Sequence, residues 1–267
     1  MKSHFKMIAL DVDGTLLTDD HQLLDEVKDA VREASFAGAE IVLCTGRGPV
    51  GALPVLEQLG LGGILITHNG AATVQSSDRS VLFQFDIEQE HLFDFIHYCR
   101  EHTIHYDLNT AFEMMVETIT EEARAMYAIH HAIPSVQNFD EGLPDGLVKL
   151  TLFGTKEQMD MIQSHWEKQP LKLQVIRSGD LFIDVQHPKA SKGDALRRLA
   201  EERGIAREHI LAIGNYYNDV SMLQFAGVGI AMGNSPEAVK AAAKYVAGSN
   251  NDGGVAGAIR EYVLNSK

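Results

Sequence analysis

The sequence predicts an α/β protein: a doubly wound core on a mainly parallel sheet, with an α+β domain inserted into it. Three observations predict this. Short apolar runs alternate with stretches of three- and four-residue hydrophobic spacing toward both ends of the chain. Between residues 84 and 186 that alternation gives way to helix–strand–strand patterns. Segments bearing carboxylates, hydroxyls and glycines follow the predicted strands, at the edge where open α/β sheets bind ligands.

In order, Phe5-Lys6-Met7-Ile8-Ala9-Leu10 is apolar enough for a buried strand. A helix over 23–37 follows, with Val27, Ala30, Val31 and Ala34 on one face and Gly38 closing it. Ala39-Glu40-Ile41-Val42-Leu43-Cys44 is a second buried strand and leads into Thr45-Gly46-Arg47. A short helix to residue 59, the strand Gly63-Ile64-Leu65-Ile66-Thr67 and the turn His68-Asn69-Gly70 complete the first half. Strand–helix–strand alternation implies a parallel sheet covered on both faces. The same grammar returns with a helix over 192–203, the strand Ile210-Leu211-Ala212-Ile213, a helix from Val220 and a short strand at Val228-Gly229-Ile230.

Inside the interval, a helix over 86–101 precedes strand-like runs at 104–108 and 113–117. A helix over 156–167 precedes runs at 172–177 and 181–185, joined by Ser178-Gly179-Asp180 as a hairpin. The stretch between the two sets has no readable pattern. The domain reading is a core of residues 1–83 and 187–267, an insertion of 84–186, and linkers near 83–86 and 185–188.

The 267 residues suffice for one large domain or two modest ones, and 45% of them are hydrophobic, enough for a sizeable core. Lys and Arg total 23 against 37 Asp and Glu, a formal net charge of −14. Binding a phosphate backbone needs a basic face, so nucleic acid is excluded as the main partner. A small anionic ligand stays compatible, because a bound metal ion reverses the local field. Two cysteines, Cys44 and Cys99, make no disulfide framework and fit a reducing cytosol. The N-terminal stretch lacks a signal peptide's apolar region, and no run of about 18 apolar residues exists. The expectation is a cytoplasmic protein without a membrane span; its oligomeric state is open.

The chemistry gathers in four segments. In "LDVDGTLL", Asp11 and Asp13 lie two residues apart, and in an extended chain such residues point to the same side. The two carboxylates then repel unless a cation holds them together. Thr45-Gly46-Arg47, Lys192-Gly193 and Gly214-Asn215-Tyr216-Tyr217-Asn218-Asp219 add a hydroxyl, a cation, exposed backbone N–H groups and further oxygen donors. Oxygen ligands suit Mg²⁺, which is commonly shared with phosphate oxygens. One carboxylate can attack phosphorus while a metal screens the charge, and a second can move the leaving-group proton.

Taken singly, each segment has a plainer reading. Asp13-Gly14 is a common turn pair, Thr45-Gly46 can end a strand, and Lys192 can be a surface lysine. Asn218 and Asp219 can cap the next helix, and Asp19-Asp20 reads as a solvated loop or helix start. Arg47 is open between an ion pair at a helix start and a phosphate contact. Cys44 reads as packing, His68 and His187 as no ligands, and Phe93, Phe95, Tyr98 and Met114-Met115 as core of the insertion. Gly227, Gly229 and Gly233 do not form a dinucleotide fingerprint.

Together, "LDVDGTLL", "CTGR", "THNGA", "HPKASKG", "AIGNYYNDVSML", "GIAMGNSPEAVKAAAKYV" and "DGGVAGAI" resemble the haloacid dehalogenase (HAD) superfamily of phosphatases, over nearly the whole chain. The match is to its Cof-like branch, with a Rossmann-like core and an α/β (type IIB) cap inserted before the lysine motif. The resemblance implies a Mg²⁺-dependent hydrolase of small phosphorylated metabolites, sugar phosphates by default, with flavin-precursor and pyridoxal phosphates as options. It makes Asp11 the nucleophile that becomes aspartyl-phosphate and also a metal ligand. It makes Asp13 the general acid/base, with its backbone carbonyl on the metal. Thr45, the Gly46 and Val12 backbones and Asn218 hold the phosphoryl oxygens, and Lys192 neutralises charge between nucleophile and phosphate. Asn215 and Asp219 complete the metal shell. Asn215 departs from the aspartate usual there, which leaves room for a phospho-ligand-binding regulatory protein; a phosphomutase is the other alternative.

Overall fold

The computed structural model describes residues 4–129 and 132–265, so Met1–Ser3 of the segment read for a signal peptide lie outside it. The chain forms two compact units, one of residues up to Leu82 and from Ser191 onward, the other of Phe83–Ala190.

The first unit begins with β1 (Met7–Leu10), α1 (Asp25–Phe36), β2 (Glu40–Cys44), α2 (Pro49–Gln58) and β3 (Ile64–Thr67). β1 and β3 are buried along their whole length and β2 over all but its first residue, as strands covered on both faces must be. α1 buries the Val27, Ala30, Val31 and Ala34 face read from the spacing. Two strands missing from the sequence reading follow: β4 (Ala72–Gln75) turns back antiparallel on β3, and β5 (Val81–Gln84) edges the sheet where a linker was expected.

The second unit runs through α3 (Phe93–Glu101), β6 (His105–Asn109), β7 (Met114–Val116), α4 (Glu121–Ile129), β8 (Ser135–Val136), β9 (Lys149–Phe153), α5 (Lys156–Trp166), β10 (Gln174–Gly179) and β11 (Phe182–Gln186). Its sheet has the order β10-β11-β9-β6-β7-β8. The unreadable stretch holds α4, β8 and β9, and β9 sits between β11 and β6, antiparallel to both. α3 starts at Phe93, later than expected, after a 3₁₀ turn over Gln89–His91, while the Ile87 N–H donates to Leu147 O at 2.7 Å. One face of this sheet (Leu108, Leu150, Leu152, Ile183, Val185) packs on Phe95, Ile96 and Cys99 of α3 and Met159, Ile162 and Trp166 of α5. The opposite face carries buried Asp107, Asn109, Lys149, Asp184 and Gln186, with Lys149 3.5 Å from Asp184. Residues 187–190, read as core, belong with this unit. Gln174 donates to His187 O at 2.9 Å, Gln186 donates to Ala190 O at 3.0 Å, and the His187 ring stacks on Phe85.

The chain returns to the first unit through α6 (Lys192–Glu202), β12 (Ile210–Gly214), α7 (Val220–Phe225), β13 (Val228–Ala231), α8 (Glu237–Ala242), β14 (Tyr245–Val246) and α9 (Gly254–Ile259). The sheet order is β14-β13-β12-β1-β2-β3-β4-β5, and β1 pairs in parallel with β2 on one side and β12 on the other. The chain therefore leaves β1 in one direction and re-enters on its other flank. That reversal is the switch point at which an open α/β sheet opens a crevice, beyond the carboxyl ends of β1 and β12.

Trp166 is buried against Phe95, ring centroids 4.5 Å apart, at the centre of the second unit's core. Trp166→Ala is expected to destabilise that unit by about 3–5 kcal/mol. Denaturant unfolding followed by circular dichroism checks this; a loss below about 1 kcal/mol contradicts it.

Candidate active site

β1 ends at Leu10, and the Asp11 N–H continues the ladder to Ile213 O at 3.0 Å. The backbone then turns sharply, with the N–H groups of Thr15 and Leu17 both returning to Val12 O. Gly14 takes φ +72°, and a Cβ there would meet Asn215 Nδ2 at 2.3 Å, so only glycine closes this turn. Asp11 and Asp13 have different partners, and the charge of Asp13 adds to the upward push on the Asp11 carboxyl. Asp11 is buried, accepting from Thr15 Oγ1 at 2.8 Å and Lys192 Nζ at 2.7 Å. The Asp13 side chain is 45% exposed and lies between the Arg47 guanidinium and His21 Nδ1, the latter at 3.7 Å.

Lys192 opens α6 behind Ser191, whose hydroxyl accepts the Asp194 N–H and caps the helix. Its side chain is fully buried, and Nζ donates to Asp11 Oδ1 and, at 2.6 Å, to Asp219 Oδ1. Asp219 Oδ2 accepts the N–H groups of Asn215 and Tyr216 at 2.8 and 2.9 Å, folding the loop after β12 back on itself. Gly214 permits this, because a Cβ there would lie 2.6 Å from Asp219 Cγ. Two buried carboxylates thus share one buried ammonium. Burial and the charge of Asp219 push the Asp11 carboxyl up to about 7 despite the pull of Lys192. Burial works against the charged form of Lys192, but Asp11 and Asp219 outweigh it and hold the ammonium above the ordinary lysine range.

Thr45 follows β2 and is buried. Its Oγ1 accepts the Arg47 N–H at 3.1 Å, which leaves the hydroxyl proton to donate elsewhere. Asn218 donates from Nδ2 to Asn69 Oδ1 at 2.9 Å, and a Cβ on Gly46 would meet that same oxygen at 2.9 Å. Asn69 is the residue the sequence reading passed over. It is buried, takes φ 56°, donates its N–H to Thr45 O at 3.0 Å and so ties the loops after β2, β3 and β12 together. Its signal was the Asn-Gly pair of "THNGA", read only as a turn. Asp19, read as solvated, is held by Asn250 and Asn251 at 3.0 and 2.9 Å, and their hydrogen bonds keep its carboxyl below the usual range.

The donor set fits a hard cation. Thr15 Oγ1 donates to Asp11 Oδ2 and, at 3.3 Å, to Asn215 Oδ1, so these two oxygens are gathered around one hydroxyl. Two buried carboxylates against one ammonium leave negative charge for a cation to neutralise. Asp219, which already accepts three hydrogen bonds, suits a role through water. Among the described residues, one close group of three His, Cys, Asp or Glu ligand atoms occurs elsewhere, at Glu88, Glu90 and His91, with both glutamates exposed. Cys44 is buried and burial pushes its thiol up, which fits packing.

The family model of haloacid dehalogenase-like hydrolases matches residues 8–259. The 5-amino-6-(5-phospho-D-ribitylamino)uracil phosphatase YcsE of Bacillus subtilis is 31% identical, over 97% of this chain and 96% of that protein. A haloacid dehalogenase-like hydrolase from Bacteroides thetaiotaomicron superposes with a TM-score of 0.86 at 27% identity, over 96% of this chain and 99% of that one. The HAD subclass IIB sugar phosphatase BT4131 superposes with a TM-score of 0.84 at 25% identity, over 96% of this chain and 98% of that one.

The raised Asp11 carboxyl has a consequence for stability without metal. The folded state keeps a proton that the unfolded state loses above about pH 4, so stability falls as pH rises from there to about 7. Asp11→Asn removes that slope. In chelator, the melting temperature of the variant is expected to exceed that of the wild type at pH 8 and to approach it at pH 5. Parallel melting curves at both pH values contradict this.

Proposed function

This chain belongs to the haloacid dehalogenase-like hydrolase family and is a phosphatase, and we propose that it hydrolyses small phosphate monoesters through an aspartyl-phosphate on Asp11. The observation that carries the reading is the fully buried Lys192 ammonium joining Asp11 to Asp219 at the switch point of the sheet. Its positive charge favours the anionic, nucleophilic form of Asp11 and lies where phosphoryl negative charge must be met.

The Thr45 hydroxyl, the Gly46 and Val12 N–H groups and the Asn218 amide hold the phosphoryl oxygens; Asn69 fixes Asn218 for this task. An Asp11 oxygen attacks phosphorus in line as the ester P–O bond breaks, and Asp13 gives its proton to the departing alkoxide. Water then attacks the aspartyl-phosphate, Asp13 takes the proton back, and phosphate and Asp11 carboxylate are released. The half-exposed setting of Asp13 suits exchange with leaving group and water, whereas buried Asp11 is screened from both. Asp11, the Asp13 carbonyl, Asn215 and, through water, Asp219 would hold Mg²⁺, which supplies charge screening at the phosphoryl oxygens. YcsE is named for a phosphoribityl substrate and BT4131 for sugar phosphates, which supports polyhydroxylated phosphate monoesters as the substrate class here.

Asp11→Asn is expected to abolish phosphate release from 4-nitrophenyl phosphate and from a panel of sugar and ribityl phosphates with Mg²⁺. An amide forms no acyl phosphate, so substantial residual turnover removes Asp11 as nucleophile.

Asn215→Asp restores a formal negative charge beside Asp11. Attraction for a divalent ion gains, while repulsion from Asp11 and Asp219 offsets much of it. Mg²⁺ is expected to bind about tenfold tighter, about 1.4 kcal/mol, by calorimetry at one pH and ionic strength. Equal or weaker binding rejects Asn215 as a direct ligand.

A further inference from the structure

Arg47 is the cation of the site for which the phosphatase chemistry has no task. Nε donates to Asp13 Oδ2 at 2.8 Å and Nη2 to Asp13 Oδ1, a two-point fork that fixes the plane of that carboxylate. The arginine is itself held. Its backbone N–H rests on Thr45 Oγ1 at 3.1 Å, and Nη1 donates to Gly51 O, also at 3.1 Å, in the first turn of α2. The aliphatic stem lies against that turn, where a Cβ on Gly51 would make ordinary van der Waals contact with Arg47 Cβ and Cδ at 3.5 Å.

An ion pair with a half-exposed carboxylate contributes little to stability, so its value lies in geometry. Asp13 sits inside the tight turn closed on Val12 O, and the His21 ring also lies beside it, Nδ1 at 3.7 Å. Proton transfer to a leaving oxygen requires the carboxyl within hydrogen-bond reach at a set angle. We propose that Arg47 is a positioning residue for Asp13: it ties the acid/base carboxylate of the β1 loop to the phosphate-binding Thr45-Gly46 loop, so that proton donor and phosphoryl cradle keep one mutual geometry. The inference rests on the phosphatase reading above and decides between the two roles that the sequence left open for Arg47.

The test is a double-mutant cycle in steady-state kinetics on 4-nitrophenyl phosphate with Mg²⁺, with inorganic phosphate as competitive inhibitor. Arg47→Ala is expected to lower kcat roughly 10- to 100-fold, the scale of a small misplacement of a reacting group, with KM and phosphate inhibition changed less than about threefold. Arg47→Lys should fall between, because an ammonium cannot hold both oxygens. In an Asp13→Asn background, removing Arg47 should cost less than about twofold, because the group through which it acts is gone. Melting temperatures establish that each variant is folded; should Arg47→Ala not fold, Arg47→Lys carries the cycle. Losses that multiply in the double variant overturn the proposal. So does an unchanged kcat with KM and the phosphate inhibition constant raised tenfold or more, which makes Arg47 a phosphate contact. A folded wild-type protein that releases no phosphate from any monoester removes the phosphatase reading and this inference with it.

Discussion

An ammonium group with no access to water must be surrounded by anions, and that requirement organises the catalytic end of this protein. Lys192 reaches Asp11 from the end of β1 and Asp219 from the loop after β12. Losing the ammonium would leave two buried carboxylates facing each other without a counter-ion, a larger penalty than the pairs' own contribution to stability. The three residues therefore fix each other, and with them the crossing of α6 over the switch point of the sheet. Backbone follows side chain here: Asp219 draws the Asn215 and Tyr216 N–H groups inward, and glycine at 214 is the consequence.

Excess negative charge is the second consequence. One ammonium cannot neutralise two dry carboxylates, so Asp11 holds a proton into the neutral range unless a cation arrives. Asp13 faces solvent and the Arg47 guanidinium instead. Two aspartates two residues apart thus stand in opposite environments, one suited to attack phosphorus and one to exchange protons. The difference comes from the partners each aspartate meets, Lys192 and Thr15 for Asp11 and Arg47 for Asp13, not from anything intrinsic to the aspartates.

The second unit obeys a different rule. Its sheet has one apolar face, which two helices cover, and a polar face on which Asp107, Lys149 and Asp184 are buried together. Burial pushes the Asp107 carboxyl up to about 6 against the pull of Lys149, and Asn109 and the Tyr127 hydroxyl both donate to it. The hydrogen bonding of this face is not complete, because the buried Gln186 Oε1 has no partner among the described residues.

The sequence by itself determined what rests on local pattern. Unbroken apolar runs such as Ile64-Leu65-Ile66 identified strands buried on both faces, and the Val27, Ala30, Val31 and Ala34 spacing identified α1, because period and burial are set residue by residue. The resemblance carried by the motifs gathered Asp11, Thr45, Lys192, Asn215 and Asp219 as one candidate site. Tertiary structure alone decided the rest. β9 was lost because Leu147-Val148 blur the short alternation that follows, and its place is set by pairing with β11 and β6. Residues 187–190 joined the second unit through the side chains of Gln174 and Gln186, which no linear pattern announces. The ties of Asn69, the different partners of Asp11 and Asp13 and the fork of Arg47 on Asp13 all depend on loops far apart in the chain meeting at one sheet edge. A sequence states which donors and acceptors exist, whereas which ones meet is fixed only when the strands are ordered and their loops converge.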